Sequence, residues 1–312
     1  MTAGAPKGPP AAEPREHHPG ATPLPLDAAQ RGRGPFVWRF NRFHRGTHAV
    51  LMLSFFLLVI TGLPLRFSCA FWSEPLIALL GGVESAGLLH RIGAVVTFGY
   101  FGVHVAYLAV MLIRAEDRMR LLWGPDSMVP QPRDVRDVTQ QVRWFLGRGP
   151  RPRFGRFSYM EKFDYFAVFW GVAIIGGSGL LLWFPEFFAG FLPGWAFNVA
   201  TVIHADEALL ASGFIFTIHF FNVHLRPEKF PLDAVMFTGR ATVDYMEEEH
   251  PEVVETHIAR LRGEPVSHVP RPDHPAPPPG RRSSLVAAAL GFLALGLGMS
   301  LVGMILWAVS FC

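Results

Sequence analysis

The stretch IHADEALLASGFIFTIHFFNVHL, residues 203–225, ends in 18 consecutive residues without a Lys, Arg, Asp or Glu, and it contains three histidines. A helix needs about 20 mainly apolar residues to cross a bilayer. Extending the stretch back to residue 199 gives that length and places Asp206 and Glu207 near the start of the helix. Because ionisable residues inside a membrane are costly and mark functional sites by default, the sequence predicts a membrane helix with a functional role.

Four more windows lack these charged residues over at least 20 positions, at 46–65, 92–113, 165–185 and 283–312. Half of all residues are hydrophobic, only 17% are charged, and the mean hydropathy is +0.28. The apolar residues do not alternate with polar ones, which favours helices over the strands of a membrane barrel. We therefore predict an all-α integral membrane protein, with a four-helix transmembrane bundle and one additional C-terminal transmembrane helix.

The segments outside the spans divide the chain further. Residues 1–35 are rich in Pro, Ala and Gly and are predicted to form a disordered tail. The bundle, with its fourth span at 199–225, is predicted to occupy residues 36–232. Residues 233–282 are predicted to form a mixed-charge helix pair broken at Pro251 and a Pro-rich linker to the last span.

The basic residues indicate the orientation of the chain. Segments 1–45, 114–162 and 226–282 hold 26 of the 28 Lys and Arg residues. The positive-inside rule therefore predicts a cytoplasmic N-terminus, two cytoplasmic loops and, after five crossings, a C-terminus on the other side. Since topology explains the net charge of +3, no nucleic-acid partner is expected.

Cysteine is too rare for several classes of site. Cys69 and Cys312 cannot build a disulfide framework, a Cys-rich zinc site or a cysteine-ligated iron–sulfur cluster. The sequence has no Cys-x-x-Cys-His motif, which excludes covalently attached c-type haem. Cys69 is predicted to be a passive small residue.

The bundle contains an internal repeat. Thr61-Gly62 and Ser178-Gly179 lie 117 residues apart. His90 and His204 lie 114 residues apart, and a second histidine follows each of them with a similar offset. Matching landmarks at one period predict a duplicated helical hairpin.

Seven of the 13 histidines lie in or at the ends of the spans, and the six in tails or loops are predicted to be solvated: 17, 18, 250, 257, 268 and 274. On helix two, His90 and His104 are about 21 Å apart, and on helix four His204 and His219 are about 22 Å apart, each pair on roughly one face. One histidine alone would indicate an interhelical hydrogen bond. Two levels of paired imidazoles instead predict a haem-binding bundle with two bis-histidine b haems, whereas a zinc site would gather its ligands at one level.

The inner level has more candidates than one haem requires. His104 and His219 lie at this depth, and so do His48 at the start of helix one and His224 at the end of helix four. The spacing alone leaves the inner pair open.

Four stretches resemble one family, the cytochrome b subunits of respiratory formate dehydrogenases and nickel–iron hydrogenases, over about residues 36–232. The first half of the resemblance rests on RFNRFHRGTHAVLMLSFFLLVITGLPLRF (39–67) and LLHRIGAVV (88–96). The second half rests on EKFDYFAVFWGVAIIGGSGLLLWFP (161–185) and VIHADEALLASGFIFTIHFFNVHLRPEKFP (202–231). The resemblance implies a multi-pass protein of the bacterial inner membrane. The C-terminus that five crossings place on the other side is then predicted to be periplasmic.

The resemblance also implies the haem ligands, His90 with His204 at the outer haem and His48 with His219 at the inner haem. The sequence departs from the formate dehydrogenase type at His104, at His224 and in its fifth helix. Either His104 replaces His48, or His104 and His224 support a third haem. We predict His48 as the inner ligand and keep both alternatives.

The expected function is electron transfer between quinone, either menaquinone or ubiquinone, and a periplasmic cytochrome c or the iron–sulfur or dehydrogenase subunits of a respiratory complex. Arg66 and Arg91 are predicted to bind the propionates of the outer haem, and Arg45 those of the inner haem. The predicted quinone residues are Glu161, Asp164, Asn222 and His224. The alternative function is a non-redox transporter in which the histidines, Asp206 and Glu207 form a proton or metal relay.

Overall fold

The computed structural model describes residues 36–261 and 275–312. The tail predicted for residues 1–35 and part of the Pro-rich linker lie outside these residues. Five helices are long and apolar enough to span a membrane, which confirms the predicted all-α membrane class. In chain order, the first to fifth membrane helices are Arg42–Arg66, Val83–Arg114, Tyr159–Trp183, Trp195–Leu225 and Arg281–Phe311.

Two of these helices contain π-helical turns, in which the hydrogen-bond register is shifted by one residue. The third membrane helix has one at Val172–Gly176. The fourth has two, at Ile215–His219 and Phe221–Leu225. Such turns are frequent at functional sites, and here the last two include His219 and His224.

The bundle has two unlike ends. At the basic end lie Asn41, whose side chain caps the first membrane helix, and the two long basic connections. The helices of these connections are Arg118–Trp123, Pro132–Phe145, Val235–Thr238, Val243–Glu249 and Pro251–Leu261. The opposite end carries the short helices Ser73–Leu79 and Pro185–Ala189. The helix pair predicted to break at Pro251 is confirmed.

The fifth membrane helix packs firmly against the bundle. Leu301 and Ile305 share a buried cluster with Phe216 and Phe220 of the fourth helix and with residues of the first. A Cβ atom at Gly298 would lie 2.1 Å from the Phe220 ring, so only glycine permits this approach. In a membrane the hydrophobic effect does not drive helices together, because lipid is as apolar as the helices. Close packing through small residues stabilises their association instead.

Cys69 and Cys312 form a disulfide at the opposite end, with their Cα atoms 5.9 Å apart. The prediction that Cys69 is a passive residue is therefore wrong. Because the fifth helix packs against the first, Cys312 lies beside Cys69 in the short connection that follows the first helix. A disulfide suits the oxidising side of a membrane, which is where the positive-inside rule predicts this end to lie.

A small folded cap covers the basic end. Strand β1, Phe36–Trp38, pairs antiparallel with β2, Arg240–Thr242, and with β3, Pro275–Ala276. Val235, Ala241 and Met246 form the core of this cap. The sequence analysis did not predict this sheet, because its strands come from three distant segments of two or three residues each.

His250 lies inside the cap and is 2% exposed, so the prediction that it is solvated is wrong. Its Nδ1 donates to the carbonyl of Gly155 at 2.8 Å, and its Nε2 lies 3.2 Å from Nη2 of Arg39. An Arg nitrogen can only donate, so Nε2 is the acceptor and the ring is neutral. Burial, followed by the nearby Arg39 charge, lowers the pKa of His250 below its usual 6.5.

This lowered pKa predicts a loss of cap stability in acid. A neutral buried histidine stabilises the fold fully above its unfolded pKa of about 6.5, and that contribution is lost as the pH falls towards the folded value. We expect amide exchange across residues 240–256, corrected for intrinsic rates, to accelerate between pH 7.5 and pH 5. In His250→Gln the acceleration should be smaller, because the titrating ring is gone. The neighbouring Glu249 does not titrate in this range: burial raises its pKa, but its bonds to Arg226 outweigh burial and hold the pKa at about 2. Equal acceleration in both proteins would contradict the assignment.

Candidate haem-binding site

His90 and His204 face each other near the opposite end of the bundle. Their ring centres are 6.1 Å apart and their planes are inclined by 74°. Two imidazoles that bind one metal through nitrogen at about 2 Å place their ring centres roughly 6 Å apart. The predicted pairing of these two histidines by depth therefore matches the separation that a bis-histidine iron requires.

The first membrane helix fixes the orientation of His90. Its Nδ1 lies 2.9 Å from Oγ1 of Thr61, and that hydroxyl donates to the carbonyl of Leu57 at 2.7 Å. A hydroxyl has one proton, so Oγ1 must accept from Nδ1. The neutral ring then carries its lone pair on Nε2, the atom available to a metal.

The third membrane helix holds His204 in the same way. Its Nδ1 donates to the carbonyl of Ile175 at 2.9 Å, within the π-helical turn, and Oγ of Ser178 lies 3.5 Å away. A carbonyl can only accept, so Nε2 of His204 again carries the lone pair. Metal-binding histidines typically donate their second ring nitrogen to an oxygen of the protein in this manner.

The glycines of the repeat leave room for the two rings. A Cβ atom at Gly62 would lie 3.3 Å from Cε1 of His90, and one at Gly179 would lie 2.9 Å from Cε1 of His204. The Thr61-Gly62 and Ser178-Gly179 landmarks are therefore equivalent in space. In each half of the bundle, a glycine on one helix leaves room for a histidine of the next. The hydroxyl of the residue before that glycine lies 2.9 Å from the histidine Nδ1 in the first half and 3.5 Å from it in the second.

His219 is the anchored histidine at the basic end. Its Nδ1 donates to Oδ2 of Asp164 at 2.8 Å, so in the neutral ring Nε2 has the lone pair. His48 lies within electrostatic range of His219 and packs edge-on against Phe237. The charges of His48 and His219 can therefore interact, but the two rings do not pack together as those of His90 and His204 do.

His104 turns to the third membrane helix instead. Its Nε2 is bonded to the Tyr165 hydroxyl at 2.9 Å, and its ring packs against Phe169. Its buried Nδ1 has no hydrogen-bond partner within the described residues. Helical periodicity placed His104 on the His90 face and did not predict these contacts with the third membrane helix.

The four predicted quinone residues line the same cavity but do not form one cluster. Asp164 is bonded to His219, whereas Glu161 caps its own helix through Ser158 and lies 3.6 Å from Arg39. Asn222 donates to the carbonyl of Ile218 in its own helix. His224 is 4% exposed and donates through Nδ1 to the carbonyl of Pro231.

The predicted propionate partners separate into two groups. Arg66 and Arg91 line the cavity at the opposite end, where Arg66 also pairs with Asp206 at 3.0 Å. Arg45 lies off this cavity and donates through Nε to the carbonyl of Phe237 at 2.9 Å, which differs from its predicted role. Arg39, which the sequence analysis missed, lines the basic end with a side chain only 1% exposed. Its place depends on the strand β1, so no helical spacing indicated it.

One cavity, lined by the membrane helices and by residues of both basic connections, has a volume of about 2830 Å³. A pocket for one small molecule measures about 300–1,000 Å³. Its lining includes all six candidate haem ligands: His48, His90, His104, His204, His219 and His224. The volume and the two histidine levels fit more than one large, flat cofactor.

A metal relay finds less support in the geometry. Asp206 is paired with Arg66, and Glu207 lies 3.4 Å from Nε1 of Trp170. Within the described ranges, the only group of three candidate metal-binding side chains is Glu228, Glu248 and Glu249, outside the membrane helices. Its carboxylates are in reach of Arg226 and Arg151.

No protein-family model matches the chain, and no curated protein matches it.

Proposed function

We propose that this chain is a membrane di-haem b-type cytochrome subunit that carries electrons between the quinone pool and a periplasmic redox partner. In this proposal it belongs with the cytochrome b subunits of respiratory formate dehydrogenases and nickel–iron hydrogenases. The observation that carries the proposal is the His90–His204 pair, with rings 6.1 Å apart and each Nδ1 bonded to an oxygen of a neighbouring helix.

Each residue of that pair has a defined task. Haem b, when bound, supplies a one-electron carrier. His90 and His204 would hold its iron through Nε2, and Thr61 and Ile175 keep both rings in the required tautomer. The flanking glycines let the rings lie against the first and third helices, and Arg66 and Arg91 supply positive charge for propionates.

His48 and His219 would hold the second haem near the basic end. Asp164 orients His219 and increases the basicity of its Nε2 by accepting from Nδ1. His104 as the replacement for His48, or His104 and His224 at a third haem, are the alternatives. The Tyr165 bond to His104 favours His48.

The positive-inside rule supports one orientation of this cytochrome in the membrane. The basic end faces the cytoplasm of a bacterium, and the C-terminus lies in the periplasm. Menaquinone or ubiquinone would react beside the inner haem, where Asp164 and His224 line the cavity. The outer haem would exchange electrons with a periplasmic cytochrome c or with iron–sulfur or dehydrogenase subunits.

An absorption spectrum with a haem assay tests this function. We expect at least two haem groups per chain, all extracted by acid and acetone, with the low-spin spectrum of bis-imidazole iron. Metal analysis should find iron in the same ratio. Protein that contains stoichiometric zinc and no haem would overturn the proposal and favour the relay of a non-redox transporter.

A further inference from the structure

The helix Pro132–Phe145 at the basic end is amphipathic in an inverted sense. Its carboxylates Asp134 and Asp137 are buried against the protein. Its apolar residues are exposed instead, and they include Val135 at 69%, Val142 at 52% and Phe145 at 72%. A helix that faced water would place these two groups the other way round.

The exposed apolar residues form one continuous stripe. At about 100° per residue, the positions fall within an arc of roughly 100°. The members of this stripe are Val135, Val138, Val142, Phe145 and, just past the helix, Leu146. The exposed residues Arg136 and Arg143 lie along one edge of it. An apolar face beside a row of arginines is typical of helices that lie in a membrane interface.

An ion pair fixes this helix at the level of the membrane surface. Nζ of Lys162 lies 2.9 and 3.0 Å from the two carboxylate oxygens of Asp134, and both side chains are largely buried. Lys162 belongs to the first turn of the third membrane helix, which begins at Tyr159. The start of the helix Pro132–Phe145 is therefore held at the depth where a membrane helix enters the bilayer. Trp123, which is exposed, suits the same depth.

We propose that Pro132–Phe145 is an interfacial membrane-binding helix, which inserts its apolar stripe into the adjoining leaflet and binds anionic lipid headgroups through Arg136 and Arg143. The leaflet is the occupant because the Asp134–Lys162 ion pair holds the helix beside the start of a membrane helix and because its exposed charges are basic. The whole connection at 114–162 carries 11 Lys and Arg residues, and basic segments next to a membrane attract anionic lipids. This inference does not depend on haem.

Spin labelling of the full chain in lipid nanodiscs tests the proposal. The two native cysteines are paired, so Val138→Cys provides one reactive thiol, and His257→Cys on the exposed surface of Pro251–Leu261 is the matched control. Oxygen concentrates in lipid, whereas a nickel chelate stays in water. In nanodiscs of phosphatidylcholine with phosphatidylglycerol, we expect the ratio of oxygen to nickel accessibility to be several-fold higher at residue 138 than at 257.

The arginines are tested by changing the lipid and the protein separately. Phosphatidylcholine alone, or Arg136→Gln with Arg143→Gln in mixed lipid, should lower the ratio at residue 138 towards the control value. Nickel accessibility at residue 138 equal to that at 257 would overturn the proposal. Low accessibility to both probes would also overturn it, since the stripe would then be covered by protein, such as a second copy of the chain. A ratio unchanged by lipid charge would refute the anionic-lipid part.

Discussion

Replacing either His90 or His204 by alanine is expected to remove one and the same haem, so that haem content falls from two per chain to one. The two imidazoles face each other at 6.1 Å, and each is held by a different neighbouring helix. A b haem has no covalent link to the protein through its ring, so the loss of one histidine would remove one of the two bonds that hold its iron to the protein. Redox titration followed by absorption should lose the same component in both variants and keep the other.

Two further variants make this expectation specific. His257→Ala changes an exposed histidine and should leave both haems in place. Thr61→Val removes the acceptor of His90 Nδ1 without removing the ligand. It should therefore keep both haems and shift the midpoint potential of the outer haem alone. If His90→Ala and His204→Ala remove spectrally different haems, the pairing by depth is wrong.

The membrane helices and the His90–His204 pair could be predicted because their signals are local or periodic. Apolar length identifies a membrane helix without knowledge of its neighbours. The repeat of Thr61-Gly62 at Ser178-Gly179 predicted a duplicated hairpin. In the structure both glycines leave space for a histidine ring, and the Thr61 hydroxyl also accepts from His90.

The features that sequence reasoning missed depend on contacts between distant segments. The Cys69–Cys312 disulfide spans 243 residues and forms because the fifth helix packs against the first. His250 is buried by Arg39 and Gly155, which lie 211 and 95 residues away. The sheet that covers the basic end joins three short strands. None of these contacts has a period or a local motif.

His104 marks the limit of periodicity itself. Its 14-residue separation from His90 leaves it about 40° off the His90 face on a straight helix. Over about 21 Å of helix, that offset is enough to change which neighbour the side chain meets. His90 meets the first membrane helix and His204, whereas His104 meets Tyr165 and Phe169 of the third.

His48→Ala and His219→Ala are expected to remove the same haem, the one near the basic end, whereas His104→Ala is expected to keep both. His219 is anchored by Asp164 and lies within electrostatic range of His48. His104 has its Nε2 engaged by the Tyr165 hydroxyl, so this nitrogen must break a hydrogen bond before it can bind iron. The haem count per chain and the redox titration of each variant measure the outcome.

The same set of variants decides between the open alternatives at this level. Loss of the basic-end haem in His104→Ala, together with its retention in His48→Ala, would assign His104 as the partner of His219. A wild-type content of three haems that falls to two in both His104→Ala and His224→Ala would establish the third site. Asp164→Asn keeps the shape of the side chain but removes the carboxylate that accepts from His219. We expect it to retain the haem and to raise its midpoint potential, because a less basic His219 stabilises ferric iron less.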